Sequence, residues 1–132
     1  MQYAELTAAA SKARESAYAP YSKFTVGAAV LSKEGKIFVG CNVENISLGL
    51  TICAERSAIA AAVAAGHRDF EAIAIVTDSK KPALPCGACR QVMAEFNSSM
   101  KVLAATVAGD AEQFSLKELL PLPAQGLLEK RV

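Results

Sequence analysis

Cys53-Ala54-Glu55-Arg56 and Pro85-Cys86-Gly87-Ala88-Cys89-Arg90 are the two stretches that organise this chain. Each opens a run with helical character. Each also follows a loop that comes after a strand-like segment, so the middle of the chain alternates strands with helices. Sulfurs three residues apart in the first turn of a helix are neighbours on its surface, and the unpaired N–H groups there favour thiolates. Cys86 and Cys89 have that spacing, and Cys53 supplies a third soft donor. Three thiolates hold zinc but leave its tetrahedral shell one ligand short, and an open position marks a catalytic rather than a structural site. Glu55 is too close to Cys53 in sequence to be an obvious further ligand. It is near enough to touch a water in the open position, where a proton shuttle belongs.

Working outward, Gln2 to Tyr18 has apolar residues at helical spacing (Leu6, Ala9, Ala10, Ala13, Ala17) and reads as a covering helix stopped by Pro20. Phe24 to Leu31 reads as a buried strand, Ser32 to Gly35 as a hairpin turn, and Lys36 to Glu44 as the partner strand. Asn45 to Ile52 is a loop that delivers Cys53 to a helix over 54–65, ended by Gly66. That helix is so rich in alanine that burial on both sides is expected, against the sheet and against other subunits. A third strand runs from Glu71 to Thr77, a helix from Cys86 to Phe96, and a fourth strand from Lys101 to Val107. Ser115 and Glu118 are spaced as a capping box for a short last helix over 115–120. A hairpin followed by alternating strands and helices implies an α/β fold, a mixed sheet covered by helices on both faces.

At 132 residues, without repeats or a dividing linker, the chain reads as a single domain spanning 1–132. Its formal net charge is +1 and no dense run of Lys or Arg occurs, which argues against a nucleic-acid partner. No stretch is long and apolar enough to span a membrane, Met1 to Arg14 lacks the apolar core of a signal peptide, and a cytoplasmic location is expected. The hydrophobic fraction of 52% is high for a monomer of this size and suggests subunit contacts. Four cysteines could instead form two disulfides, but that reading lacks a secretion signal. A redox CxxC of the thioredoxin kind leaves Cys53 and Glu55 unexplained. A structural zinc module needs a fourth ligand, and only Cys41 and His67 remain. Strand alternation turns Cys41 away from Asn42 and Glu44, as a buried structural thiol, and His67 reads as a surface loop residue.

Together, Cys53-Ala54-Glu55 and Pro85-Cys86-Gly87-Ala88-Cys89 resemble the zinc deaminase signature, and the Cys at the first ligand position is similar to the small homotetrameric cytidine deaminases of free nucleosides. The resemblance runs from Tyr18 to about Pro121. It implies a three-layer α/β/α sandwich of about five strands, with the fifth near the C-terminus. It also implies one Zn²⁺ per chain on Cys53, Cys86 and Cys89, with Glu55 as the catalytic proton shuttle. The reaction implied is hydrolytic deamination of cytidine and deoxycytidine, by a zinc-bound hydroxide, to uridine and deoxyuridine in pyrimidine salvage. Phe24, in Tyr18-Ala19-Pro20-Tyr21-Ser22-Lys23-Phe24, matches an aromatic that packs on the pyrimidine. Asn42 and Glu44 match a ribose-binding Asn-x-Glu, and Ala54 joins them as a substrate-binding residue. Taken alone, Phe24 reads as core and Asn42 with Glu44 as a solvated turn.

Arg56 and Arg90 both lie in the first turn of a helix beside a ligand, where the macrodipole disfavours a cation, so both are expected to support the thiolates electrostatically. The chain departs from the family at Leu48 and near Ala124, where relatives carry aromatics. A roomier pocket that tolerates N4-substituted cytidines is expected from this. The remaining alternative within enzymes is a zinc deaminase of another free base, nucleotide or nucleoside analogue.

Overall fold

The structure, a computed structural model, describes residues 2–126 and 128. It contains α1 (Gln2–Ala13), β1 (Val26–Ser32), β2 (Ile37–Cys41), α2 (Ala54–Ala64), β3 (Phe70–Thr77), α3 (Gly87–Phe96), β4 (Lys101–Thr106), β5 (Ala111–Ser115) and α4 (Leu116–Leu119). Short 3₁₀ turns occupy Arg14–Ser16 and Leu48–Leu50. The five strands form one mixed sheet in the order β2-β1-β3-β4-β5. β1 runs antiparallel to both β2 and β3, β3 and β4 are parallel, and β5 returns antiparallel to β4. The single parallel pair is the one whose crossover is α3, as parallel pairing requires.

Side chains alternating along β1 and β3 fill two different cores. Leu6 and Ala10 of α1 pack with Ala29, Leu31, Ala72, Ala74 and Val76 on one face. Ala58, Ile59 and Ala62 of α2 and Met93 of α3 pack with Ala28, Val30, Ile73 and Ile75 on the other. The result is the expected three-layer sandwich, with β1 and β3 buried on both faces and correspondingly apolar throughout. Two glycines set how closely the layers approach. A Cβ on Gly27 would lie 1.9 Å from the Ala10 carbonyl oxygen, and one on Gly40 would lie 2.3 Å from the Ala58 nitrogen. Each helix therefore rests directly on strand backbone.

Several boundaries differ from the sequence reading. The N-terminal helix ends at Ala13 rather than Tyr18, because the chain tightens into the 3₁₀ turn and then extends so that Tyr18 bridges Val43 in parallel. The second strand ends at Cys41 rather than Glu44. Beyond it only the backbone N–H of Asn42 still reaches β1, at the Val26 carbonyl 3.2 Å away. Val43 instead exchanges N–H···O bonds of 2.9 Å in each direction with Ile52. The fifth strand precedes the last helix, and its solvent-facing Ala111-Glu112-Gln113 gives no apolar alternation to reveal it. The capping box forms as expected: Glu118 accepts from the Ser115 N–H at 2.8 Å, and the Ser115 hydroxyl accepts from Lys117. α2 is not buried on both sides within the single chain, since Ala60, Ala61 and Ala64 are exposed.

Candidate metal and catalytic site

Cys53 and Cys86 are the N-cap residues of α2 and α3, both with extended backbone and neither using its side chain to cap. Their sulfurs are therefore free to turn towards each other, in front of the positive ends of two helices. Cys89, one turn into α3 and fully buried, completes the group. The three Sγ atoms lie within 4.8 Å of one another, with Cys86 and Cys89 3.5 Å apart. A tetrahedral zinc with Zn–S near 2.3 Å needs sulfurs about 3.8 Å apart, so the donor set fits that ion. Cys41 is half-buried and lies outside the cluster. His67 packs on Phe38 with ring centroids 4.9 Å apart, and its Nδ1 is 3.4 Å from Glu34. It is more enclosed than a surface loop residue, and it too stands apart from the sulfurs.

Charge is unevenly shared among the three thiols. A hydrogen bond from Cys89, with help from Arg56, holds the Cys53 thiol down at about 5, while that same donation and burial push Cys89 up. Arg56 Nη2 sits 3.4 Å from Cys53 Sγ and 3.4 Å from the Thr51 carbonyl, and the thiolate contact raises the guanidinium further above its ordinary value. Arg90 behaves differently and corrects the expectation for it. Its Nε donates to the Pro85 carbonyl at 2.7 Å and its Nη1 to the Leu119 carbonyl at 2.8 Å. It ties the loop before α3 to the end of α4 and gives no hydrogen bond to a sulfur. Helical spacing alone does not decide this, since Arg56 is three residues past Cys53 and Arg90 four past Cys86; Arg90 is held instead by the two carbonyls, one of which α4 brings alongside α3.

Glu55 is only 5% exposed. Burial, then the charge on Cys53, raises its carboxyl above the usual carboxylate range. It lies in the wall of a cavity of about 270 Å³, together with Cys53, Ala54 and Cys86. This volume is at the small end for small-molecule sites. Phe24, Asn42 and Glu44 line the same cavity. Phe24 is 40% exposed, so it is no core residue. Asn42 is 8% exposed and uses both ends of its amide on the chain: Oδ1 accepts from the Val26 N–H at 2.9 Å and Nδ2 donates to the Phe24 carbonyl at 2.8 Å. Glu44 accepts from the Tyr21 and Ser22 N–H groups and from the Ser22 hydroxyl, which holds its carboxyl below the usual range. All the predicted binding residues thus meet one cavity.

Other lining residues were not legible as site residues. Ile75 and Thr77 come from the end of β3, and Ala83 and Leu84 from the loop before Pro85. The β1–β3 register brings Ile75 and Thr77 beside the start of β1, and the loop before α3 brings Ala83 and Leu84 to the same cavity. Ser22 also lines the cavity; its position two residues before an aromatic in a Pro-containing turn is the one local signal for it.

Residues 1–106 match the family described as the cytidine and deoxycytidylate deaminase zinc-binding region. A cytidine deaminase of Sporosarcina psychrophila is 52% identical over 122 residues, which cover 92% of this chain and 90% of the relative. One from Halalkalibacterium halodurans is 53% identical over 113 residues, 85% of this chain and 86% of that relative. Among solved structures, the cytidine deaminase from Burkholderia pseudomallei superposes with a TM-score of 0.90 at 50% identity, over 94% of this chain and all of that one.

Proposed function

Because the chain belongs to the cytidine and deoxycytidylate deaminase family, we infer that it is a zinc-dependent enzyme that hydrolyses cytidine, and deoxycytidine with it, to the uridine counterpart and ammonia. The observation that carries this reading is one cavity lined by Cys53 and Cys86 of the three-sulfur cluster, by the buried carboxyl of Glu55 and by the Asn42–Glu44 pair. Its apolar lining, Phe24 with Val26 and Ile75, suits a flat heterocycle. Cys53, Cys86 and Cys89 would hold the zinc, which when bound supplies Lewis-acid activation of water.

The chain's own residues then move the protons. Glu55 takes one from the attacking water and delivers it to N3 as the oxygen adds at C4. A carboxyl raised by burial suits this role, since it is a stronger base towards the water than an ordinary carboxylate and keeps the proton until N3 takes it. The remaining proton of that water, on the new C4 oxygen, passes to the exocyclic amine, the C4–N bond breaks as the C4 carbonyl forms, and ammonia leaves. Phe24 and Ala54 position the ring, and Asn42 and Glu44 face the sugar.

Further parts of the reading concern context. The whole chain acts as one catalytic domain, because both cores share the same sheet. Four free cysteines, three of them serving as thiol donors, suit a reducing cytoplasmic setting and a role in pyrimidine salvage. No helix among the described residues is long and apolar enough to cross a membrane. A homotetramer is supported by Ile46, Leu48 and Leu50, which are 80%, 74% and 66% exposed beside the cavity, and by the uncovered alanine face of α2. Phe24 is the single aromatic among the described lining residues, which favours acceptance of N4-substituted cytidines.

The decisive experiment follows cytidine absorbance in the ultraviolet with purified, zinc-loaded protein while ammonia is assayed in parallel. Loss of cytidine with one ammonia released per uridine is expected. No turnover by protein carrying one zinc per chain would overturn the substrate assignment and move it to free bases, nucleotides or substituted cytidines. Light scattering checks the assembly, and a monomer would remove the tetramer.

A further inference from the structure

Glu44 is the hub of a small polar network whose other members have no assigned part in recognition. Its Oε1 accepts the backbone N–H groups of Tyr21 at 3.0 Å and Ser22 at 3.1 Å, and its Oε2 accepts the Ser22 hydroxyl. Ser22 Oγ in turn accepts the Phe24 N–H at 3.0 Å. Between them Lys23 has φ 61°, in the left-handed region, a conformation that a lysine holds only when its surroundings fix it. The Lys23 N–H closes the turn onto the Ala19 carbonyl at 3.0 Å. The turn is thus fixed by its own backbone on one side and by Glu44 on the other.

A carboxylate offers about four acceptor directions. In Glu44 the chain fills both on Oε1 and one on Oε2. One remains, on the oxygen that Ser22 also touches, and both residues line the cavity. We propose that Ser22 is a positioning residue for sugar recognition: its hydroxyl orients the Glu44 carboxylate and leaves Oε2 a single acceptor direction, matched to a single sugar hydroxyl. The inference rests on the nucleoside-deaminase reading and deepens it. A second hydroxyl competing for Glu44 finds no lone pair. A base without a sugar gains nothing from the network.

The test compares wild type, Ser22→Ala and Ser22→Thr on cytidine, 2′-deoxycytidine, 3′-deoxycytidine and cytosine, with kcat and KM separated. The same compounds are titrated calorimetrically into zinc-loaded Glu55→Gln protein with and without Ser22→Ala. Freed of its donor, the carboxylate loses its orientation. Ser22→Ala is expected to raise KM, and the calorimetric Kd, for cytidine about tenfold while kcat changes less than threefold. The analogue lacking the hydroxyl that Glu44 holds is expected to show no such penalty, and Ser22→Thr to restore the cytidine value. An equal loss on all nucleosides and on cytosine, or a fall in kcat at constant KM, would mean a merely structural turn and would overturn the proposal. If wild type turns over none of the panel, the deaminase reading falls by itself, and the calorimetric comparison still decides the part played by Ser22. Sugar-independent binding, or no binding, goes against it.

Discussion

Arg56 Nη2 lies 3.4 Å from Sγ of Cys53, one helical turn back on the same face of α2. Three thiolates on a dication leave one net negative charge, which would make activation of a water harder than with neutral ligands. The guanidinium withdraws part of that charge at its source. The arginine is placed against Cys53, whose thiol it helps to hold below its ordinary value.

Replacing Arg56 with Gln removes the charge and, because the side chain is shorter, the Nη2 contact with the sulfur. The expected outcome is a fall in kcat of roughly 10–100-fold, the range typical of groups that tune a metal's ligands, with about one zinc per chain retained. Metal analysis and steady-state kinetics on the same preparation check it. Loss of zinc together with activity would make the arginine a folding or metal-retention residue instead.

Glu55→Gln preserves shape and burial while abolishing proton transfer. Turnover should fall by at least about 10²–10⁴-fold, as for a lost general acid–base group, and further because the residue acts on two transfers. Cytidine should still bind, which calorimetry on the zinc-loaded variant measures. A variant that keeps more than a tenth of wild-type kcat would show that another group carries the proton.

Gly40→Ala introduces a methyl carbon 2.3 Å from the Ala58 nitrogen and 2.8 Å from the Ala54 carbonyl oxygen. Both are backbone atoms of α2 and cannot rotate aside, so the helix must lift from β2. Overpacking of this kind costs about 1–3 kcal/mol, read as a lower midpoint in chemical or thermal unfolding. Because α2 carries Cys53 and Glu55, activity measured well below the midpoint should fall as well.

Tyr3 tests the N-terminal layer. Burial, then the hydrogen bond to Glu71 at 2.8 Å, raises its phenol from the ordinary 10 to about 12. A raised pKa means that the folded state favours the protonated phenol. Its contribution is complete below pH 10 and is lost as pH rises towards 12. Tyr3→Phe should therefore be less stable than wild type at pH 8–9 in urea unfolding, with the gap shrinking between pH 10 and 12. No gap at pH 8–9 would mean that the hydroxyl contributes nothing, and a gap that stays constant through the window would mean that folding does not shift the phenol.

The contrast between Arg56 and Arg90 shows what kind of information lies in the sequence. Both follow a ligand within a first turn, and both were expected at the sulfurs. The spacing puts Arg56 on the face of Cys53 and Arg90 on the face of Cys86, so it does not tell them apart. Only the folded chain shows what Arg90 meets instead, a carbonyl at the end of α4, 29 residues away. Asn42 is similar. Its neighbourhood with Glu44 was readable from strand alternation. That its amide would also clamp the start of β1 depends on where the hairpin stops pairing.

By itself the sequence determined the donor set, the carboxyl beside it, the helices that begin at Cys53 and Cys86, and the alternation that makes the fold α/β. These follow from interactions between residues a few positions apart, where helix and strand geometry fixes the outcome. The tertiary structure alone decided that Cys53 meets Cys86 and Cys89 across two helix ends, and that β5 lies on the outer edge of the sheet. It also decided that Ile75, Thr77 and Leu84 face Phe24 across one cavity, and that Ser22 rather than solvent occupies Glu44. Those contacts join residues far apart in the chain, and their partners are set by sheet register and by how closely Gly27 and Gly40 let the helices approach, which no local pattern encodes.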